Sequence, residues 1–233
     1  MSQQLYAALE EVFQEVRARD IPLGERLAII ADKVRELSPS YSNTVDGFVC
    51  RLEQAEAGSE APKVGDRMPN FILPDDQGRL VQLEQLLEKA PVIVAFLRGH
   101  WCPYCRMNAV GLAEIEEAIK PVQIVAISAQ TQEYSCEIKA EARASFPFLT
   151  DIANGYALSL GLSIWVDDTM SALISSSGWD VPRYQKQDGW ILPIPSVFVV
   201  RQDGLISARH VDPDYRRRME LDALRAAAKA ALA

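Results

Sequence analysis

The sequence is poor in what most binding and structural scaffolds need. Only two histidines, His100 and His210, and four unevenly spaced cysteines, Cys50, Cys102, Cys105 and Cys136, occur in 233 residues. That is too sparse for a secreted disulfide framework. There is no second Cys-x-x-Cys and no His-x₃₋₅-His to complete a zinc site, so neither a metal nor a cofactor is expected. Positive charge is also in short supply: 24 basic against 32 acidic residues leave a formal charge of −8, which repels phosphate backbones and anionic lipid. No nucleic-acid or membrane partner is expected. The longest apolar run, Ile191 to Val200, is interrupted by two prolines and is roughly half the length of a bilayer-spanning helix. The opening Met1-Ser2-Gln3-Gln4-Leu5-Tyr6 has no basic leader and no apolar core, which predicts a cytoplasmic protein that starts here.

What remains is an ordinary globular composition, 48% hydrophobic and 24% charged, long enough for one domain and an addition. Leu5, Leu9, Val12, Phe13 and Val16 recur at helical spacing, as do Leu27, Ile30, Val34 and Leu37 before Pro39. A third helix is predicted from Asn43 or Thr44, with Val45, Phe48, Val49 and Leu52 facing inward. Gly58-Ser59-Glu60-Ala61-Pro62 reads as a linker. Residues 1–60 are thus a helical extension and residues 63–233 the main domain.

Past the linker, Phe71–Leu73 and Leu80–Leu83 flank a Pro74–Gly78 turn and predict a hairpin, with a short helix from Glu84. Pro91–Leu97 is a continuous apolar run, as expected of a strand covered on both faces. A helix carrying Val110, Leu112, Ile115 and Ile119 follows, then a strand over Val122–Ile127 and a helix over Thr131–Ala144. Strand, helix, strand, helix is the order of a βαβ unit. A short strand at Phe148-Leu149 and an Asp151-capped helix come next, and residues 162–190 read as an irregular insertion. Val197–Val200 and Leu205–His210 around Asp203-Gly204 form a closing hairpin, and Tyr215–Leu232 a final helix.

Cys102 and Cys105 fall three apart where a strand gives way to a helix, so both sulfurs share the first helical turn and can form a disulfide. Pro103 suits the first helical position, which makes Cys102 the cap. A thiolate at a cap faces unpaired N–H groups and the helix dipole, so Cys102 is expected to be exposed and acidic. Arg98, His100 and Arg106 add a local basic island, with His100 a candidate stabiliser of negative charge. Cys50 and Cys136 are expected to be small buried hydrophobes, and Arg216-Arg217-Arg218 a solvated start to the last helix.

The segment Phe96-Leu97-Arg98-Gly99-His100-Trp101-Cys102-Pro103-Tyr104-Cys105, with Ile194-Pro195 before a later strand, resembles the thioredoxin fold. From Lys63 onward the chain is similar to its peroxiredoxin-like branch, the AhpC/TSA type. Val64–Pro74 resembles that family's opening and Phe198–Gly204 its Asp-Gly hairpin. The resemblance implies an α/β thioredoxin-like fold, a central mixed sheet flanked by helices, here with the helical extension. It also implies a Pro-x₃-Thr-x₂-Cys signature; superposed here, it puts Cys105 at the peroxide-attacking position, Cys102 in place of Thr and Arg98 in place of Pro. The family's activating arginine falls on Pro195. In thioredoxins the first cysteine attacks, and a cis-proline, here Pro195, lies against the disulfide. Trp101, Pro103 and Tyr104 complete the implied site. The expected activity is reduction of hydroperoxides by a Cys102–Cys105 dithiol/disulfide cycle fed by an external thiol of thioredoxin or glutathione type. The alternatives are a thioredoxin-like protein disulfide reductase, and a redox-sensing or adaptor protein that dimerises or binds a partner through the extension.

Overall fold

The computed structural model describes residues 2–233, with side chains from residue 6 onward; Met1 and the inward side chain predicted for Leu5 lie outside the described residues. Three helices open the chain, α1 (Ser2–Arg17), α2 (Leu23–Leu37) and α3 (Pro39–Gln54). The third starts earlier than predicted, because Ser38 caps it by accepting the Tyr41 N–H and Pro39 occupies the first turn. A hairpin, β1 (Ile72–Pro74) and β2 (Leu80–Gln82), leads through α4 (Leu83–Leu87) to β3 (Val92–Phe96). Then come α5 (Pro103–Glu116), β4 (Gln123–Ser128), α6 (Gln132–Ala142), β5 (Phe148–Thr150) and α7 (Gly155–Ser159).

Residues 162–190, read as irregular, hold β6 (Ser163–Trp165), α8 (Asp168–Ser176) and α9 (Val181–Gln185), after which β7 (Ile191–Pro193) pairs back onto β6. The chain closes with β8 (Ser196–Val200), β9 (Ile206–Val211) and α10 (Leu221–Ala230). The last helix begins six residues later than predicted. Residues 212–217 instead turn on Asp212 and Asp214, whose carboxylates accept the N–H groups of Asp214 and Arg216.

The main sheet is mixed, in the order β5-β4-β3-β8-β9, with β3, β4 and β5 parallel and β8 and β9 antiparallel. Along β3 the pleat sends Ile93 and Ala95 to one core and Val92, Val94 and Phe96 to the other, which is why the run has no polar residue. Phe71, Leu83 and Leu160 fill the second core. The first core is continuous with the opening helices: Leu9, Phe13, Leu27, Ile30 and Phe48 belong to the same cluster as Cys102, Cys105 and Leu112. Among the described residues no helix is long and apolar enough to cross a membrane.

Candidate active site

The strand β3 ends at Phe96, and Leu97 keeps the chain on the sheet by donating to Ile127 O at 2.8 Å. Gly99 then turns the chain at φ +139°, with the Trp101 indole 2.8 Å from where a Cβ would stand, so a side chain here is excluded twice over. Cys102 N–H donates back to Gly99 O at 3.1 Å, and Cys102 becomes the cap of α5 with Pro103 in the first turn, as predicted from their order.

The cap does not expose the thiol. Cys102 is 1% and Cys105 0% exposed, and both are free. The expected electrostatics are therefore reversed. Burial, and a proton shared with Cys105, push the Cys102 thiol well above the ordinary cysteine range. Burial also opposes ionisation of Cys105, but it is outweighed by the hydrogen bond from Cys102, the Arg218 and Arg98 charges and the Arg98 N–H, which bring Cys105 down to about 5. The Arg98 N–H reaches the Cys105 sulfur at 3.3 Å and Arg218 Nη2 at 3.6 Å. These contacts favour Cys105, of the two, as the thiolate and Cys102 as the neutral donor.

The basic island is also rearranged. The Arg98 guanidinium is buried between the rings of Trp101 (4.7 Å) and Tyr215 (3.9 Å), while Arg106 turns away to Glu10 and Glu141 and packs 4.1 Å over the Phe13 ring. His100 faces Glu137 at 3.1 Å and Glu141 at 3.5 Å, so its charge-stabilising role toward the sulfurs has no geometric support. Against the effect of burial, hydrogen bonds from Arg106 and His100 hold the Glu141 carboxyl at about 2.

Ile194–Pro195 is trans, not cis; Pro195 is buried at the entrance to β8, beside Ser196 opposite Phe96, and does not line the cavity at the cysteines. Cys50 and Cys136, expected in the core, are exposed: Cys136 donates to Asp76 O at 3.3 Å, Cys50 accepts from Gln54 at 3.4 Å, and neither meets the pair.

The residue that sequence reasoning missed is Arg218. It lies 113 positions from Cys105 and was read as surface charge; the one available signal was a triple arginine in an acidic chain. Trp179, from the stretch read as irregular, was missed too: it packs edge-on to Tyr41 at 6.3 Å over the site. Together with Leu9, Tyr41, Trp101, Tyr104 and Tyr215 it lines a partly open cavity of about 30 Å³ against Cys102 and Arg98, room for a molecule little larger than water, with Cys105 behind Cys102 and outside the lining. Burial drives the Tyr215 phenol up to about 12, so this ring stays neutral.

The AhpC/TSA family model matches residues 64–209, more than half of the chain. The chain belongs to the AhpC/TSA family. Membership makes it an enzyme of thiol-dependent peroxidase or thiol–disulfide oxidoreductase type. No curated protein matches it. Among solved structures, this family member is similar to the peroxidoxin BcpB of Mycobacterium tuberculosis, at 22% identity and TM-score 0.55 over 73% of this chain and 96% of that one. It is similar also to a peroxiredoxin-like protein of Aquifex aeolicus, at 14% and 0.58 over 73% and 88%, and to the thiol peroxidase of Chromobacterium violaceum, at 13% and 0.51 over 70% and 84%. These neighbours share the thioredoxin-like fold. The family match begins at Val64, so the covering helices α1–α3 lie outside it.

Arg218 is among the groups that lower the Cys105 thiol, so any reaction that runs through this thiolate is expected to depend on it. In Arg218→Leu the oxidation rate of Cys105 at neutral pH is expected to fall about tenfold to a hundredfold. The sign follows from the lowered thiol: in the parent the rate rises with pH through about 5 and then levels. In the variant this midpoint moves up, read by thiolate absorbance in a Cys102→Ser background. A midpoint that stays near its parent position would remove Arg218 from the site.

Proposed function

We propose that this protein reduces small hydroperoxides, with Cys105 as the attacking thiolate and Cys102 as the resolving thiol. The observation that carries the reading is that Arg218 and the Arg98 N–H hold Cys105 as a thiolate, hydrogen-bonded to Cys102, and that Cys102 lines a narrow cavity of about 30 Å³. A peroxide fits there; a cystine on a folded protein does not. This argues against the disulfide-reductase alternative.

The Cys105 thiolate attacks one peroxide oxygen, the O–O bond breaks, and the leaving alkoxide or hydroxide takes a proton, for which the Cys102 thiol is the nearest donor. Cys105 is then a sulfenic acid and Cys102 a thiolate. Cys102 attacks the Cys105 sulfur, the S–O bond breaks, and the departing hydroxide takes a proton from solvent to leave as water, so that the Cys102–Cys105 disulfide remains. Two external thiol equivalents restore the dithiol. The Trp101 and Tyr215 rings on Arg98 give this chamber an apolar wall.

Consumption of hydrogen peroxide and of insulin disulfides, each with a small thiol donor, tests the reading. Peroxide consumption is expected to exceed that of the Cys102→Ser/Cys105→Ser double variant by at least about a hundredfold, with insulin untouched. Peroxide consumption at the double-variant level, or faster turnover of insulin, would reject it. Stoichiometric oxidation without turnover would favour a sensor.

A further inference from the structure

The second histidine, His210, takes no part in the cycle described above, yet it shares a buried polar cavity with Arg218. It lies on β9 opposite Val197 of β8. The cavity is about 10 Å³, close to the space of one water, and lies between these strands, α5 and residues 218–224. Leu112 and Leu224 give it an apolar side, while Asn108, Ser196, His210 and Arg218 bring polar groups to it. Ser196 Oγ is engaged, donating to Ile194 O at 3.2 Å. Two other groups are not: His210 Nε2 and Arg218 Nε are closed off from solvent and have no hydrogen-bond partner. A buried nitrogen left so is costly, and two of them around one small cavity mark the place of a bound water. The rest of the Arg218 guanidinium is occupied, since Nη1 donates to Tyr215 O and Arg217 O at 2.6 and 2.5 Å and Nη2 to the Cys105 sulfur at 3.6 Å. The fork is planar and rigid, so whatever engages Nε also sets where Nη2 points.

We propose that His210 is a positioning residue for the Cys105 thiolate: one water in this cavity accepts from Arg218 Nε and donates to His210 Nε2, and so locks the guanidinium with Nη2 on the sulfur. The bridge braces the segment before α10 against β9 of the sheet. It requires an imidazole that accepts at Nε2, hence a neutral ring. Burial lowers the His210 pKa from its ordinary value, the Arg218 and Arg217 charges add to this and Asp212 opposes it, so the ring is neutral near pH 7. The proposal rests on Cys105 as the thiolate of the preceding reading, and not on the peroxide it attacks. His210 touches neither sulfur nor substrate, and its whole effect passes through Arg218.

The test titrates the thiolate by absorbance in a Cys102→Ser background, so it does not depend on peroxide chemistry. His210→Leu is expected to raise the Cys105 midpoint, about 5 in the parent, by about one pH unit, a tenfold weaker thiol acid. His210→Gln, whose amide oxygen still accepts from the water, should stay within about 0.3 of the parent midpoint. Because His210 works through Arg218, His210→Leu should add no further shift in Arg218→Leu protein. A crystal structure of the parent should place one water within hydrogen-bond distance of both nitrogens, a readout that stands even where His210→Leu does not fold. An unmoved midpoint in His210→Leu, equal shifts in the Leu and Gln variants, additive shifts in the double variant, a dry cavity, or a parent thiol that titrates in the ordinary cysteine range would overturn the proposal. The expected shifts in protein that does not consume peroxide would leave the role of His210 standing and remove the peroxidase reading alone.

Discussion

Cys105→Ser protein is expected to lose peroxide consumption by about a thousandfold or more, whereas Cys102→Ser protein still reacts once, at close to the parent rate. The asymmetry follows from which sulfur is ionised. A serine hydroxyl at 105 is not an anion near neutral pH, and burial keeps the remaining Cys102 thiol, which lines the chamber, protonated. A serine at 102 still donates a hydrogen bond to Cys105, so the thiolate and its first attack survive. The cycle then stops at the Cys105 sulfenic acid, which a dimedone-type reagent traps and excess peroxide drives to the sulfinic state. Stopped-flow oxidation with mass spectrometry reads both outcomes. The reverse asymmetry, a live Cys105→Ser and a dead Cys102→Ser, would return the attacking role to the cap cysteine.

The second large effect lies in the helical cover. Phe13 on α1 is fully buried and carries the Arg106 guanidinium of α5 over its ring at 4.1 Å, while Arg106 also reaches Glu10 on α1 and Glu141 on α6. Phe13→Ala removes the ring from a packed core and leaves that charge beside a void. The expected cost is about 3–5 kcal/mol, or roughly 10 °C in melting temperature for a chain of this size. Leu9, one turn earlier, lines the chamber, so loosening α1 should also admit a bulky disulfide reagent to Cys102. Calorimetry and thiol-labelling rates check the two halves. A melting point lowered by less than about 2 °C, with labelling unchanged, would show that α1 is not a structural part of the site.

The sheet was legible because its strands are covered on both faces: Pro91–Leu97 and Val122–Ile127 contain almost no polar residue, and only buried strands are built so. The Cys102-Pro103 boundary was legible for a local reason, since proline fits only the first turn. Wherever distant parts of the chain decide the outcome, local reasoning failed. The cap predicts an acidic Cys102, yet α3 and Trp179 bury that thiol and burial outweighs the dipole. Arg106 and His100 are basic in sequence, but Glu10, Glu137 and Glu141 take them up from α1 and α6. Residues 162–190 gave no period because β6 and β7 are three residues each and find one another across 25 intervening positions. Their helices start on Asp167 and Asp180, whose carboxylates accept the Met170 and Arg183 N–H groups.

Arg218 reaches Cys105 from 113 positions away, on the segment between β9 and α10. The acidity of that thiol is therefore a gauge of how residues 212–220 pack: a substitution that loosens them is expected to raise the Cys105 thiol without touching either cysteine.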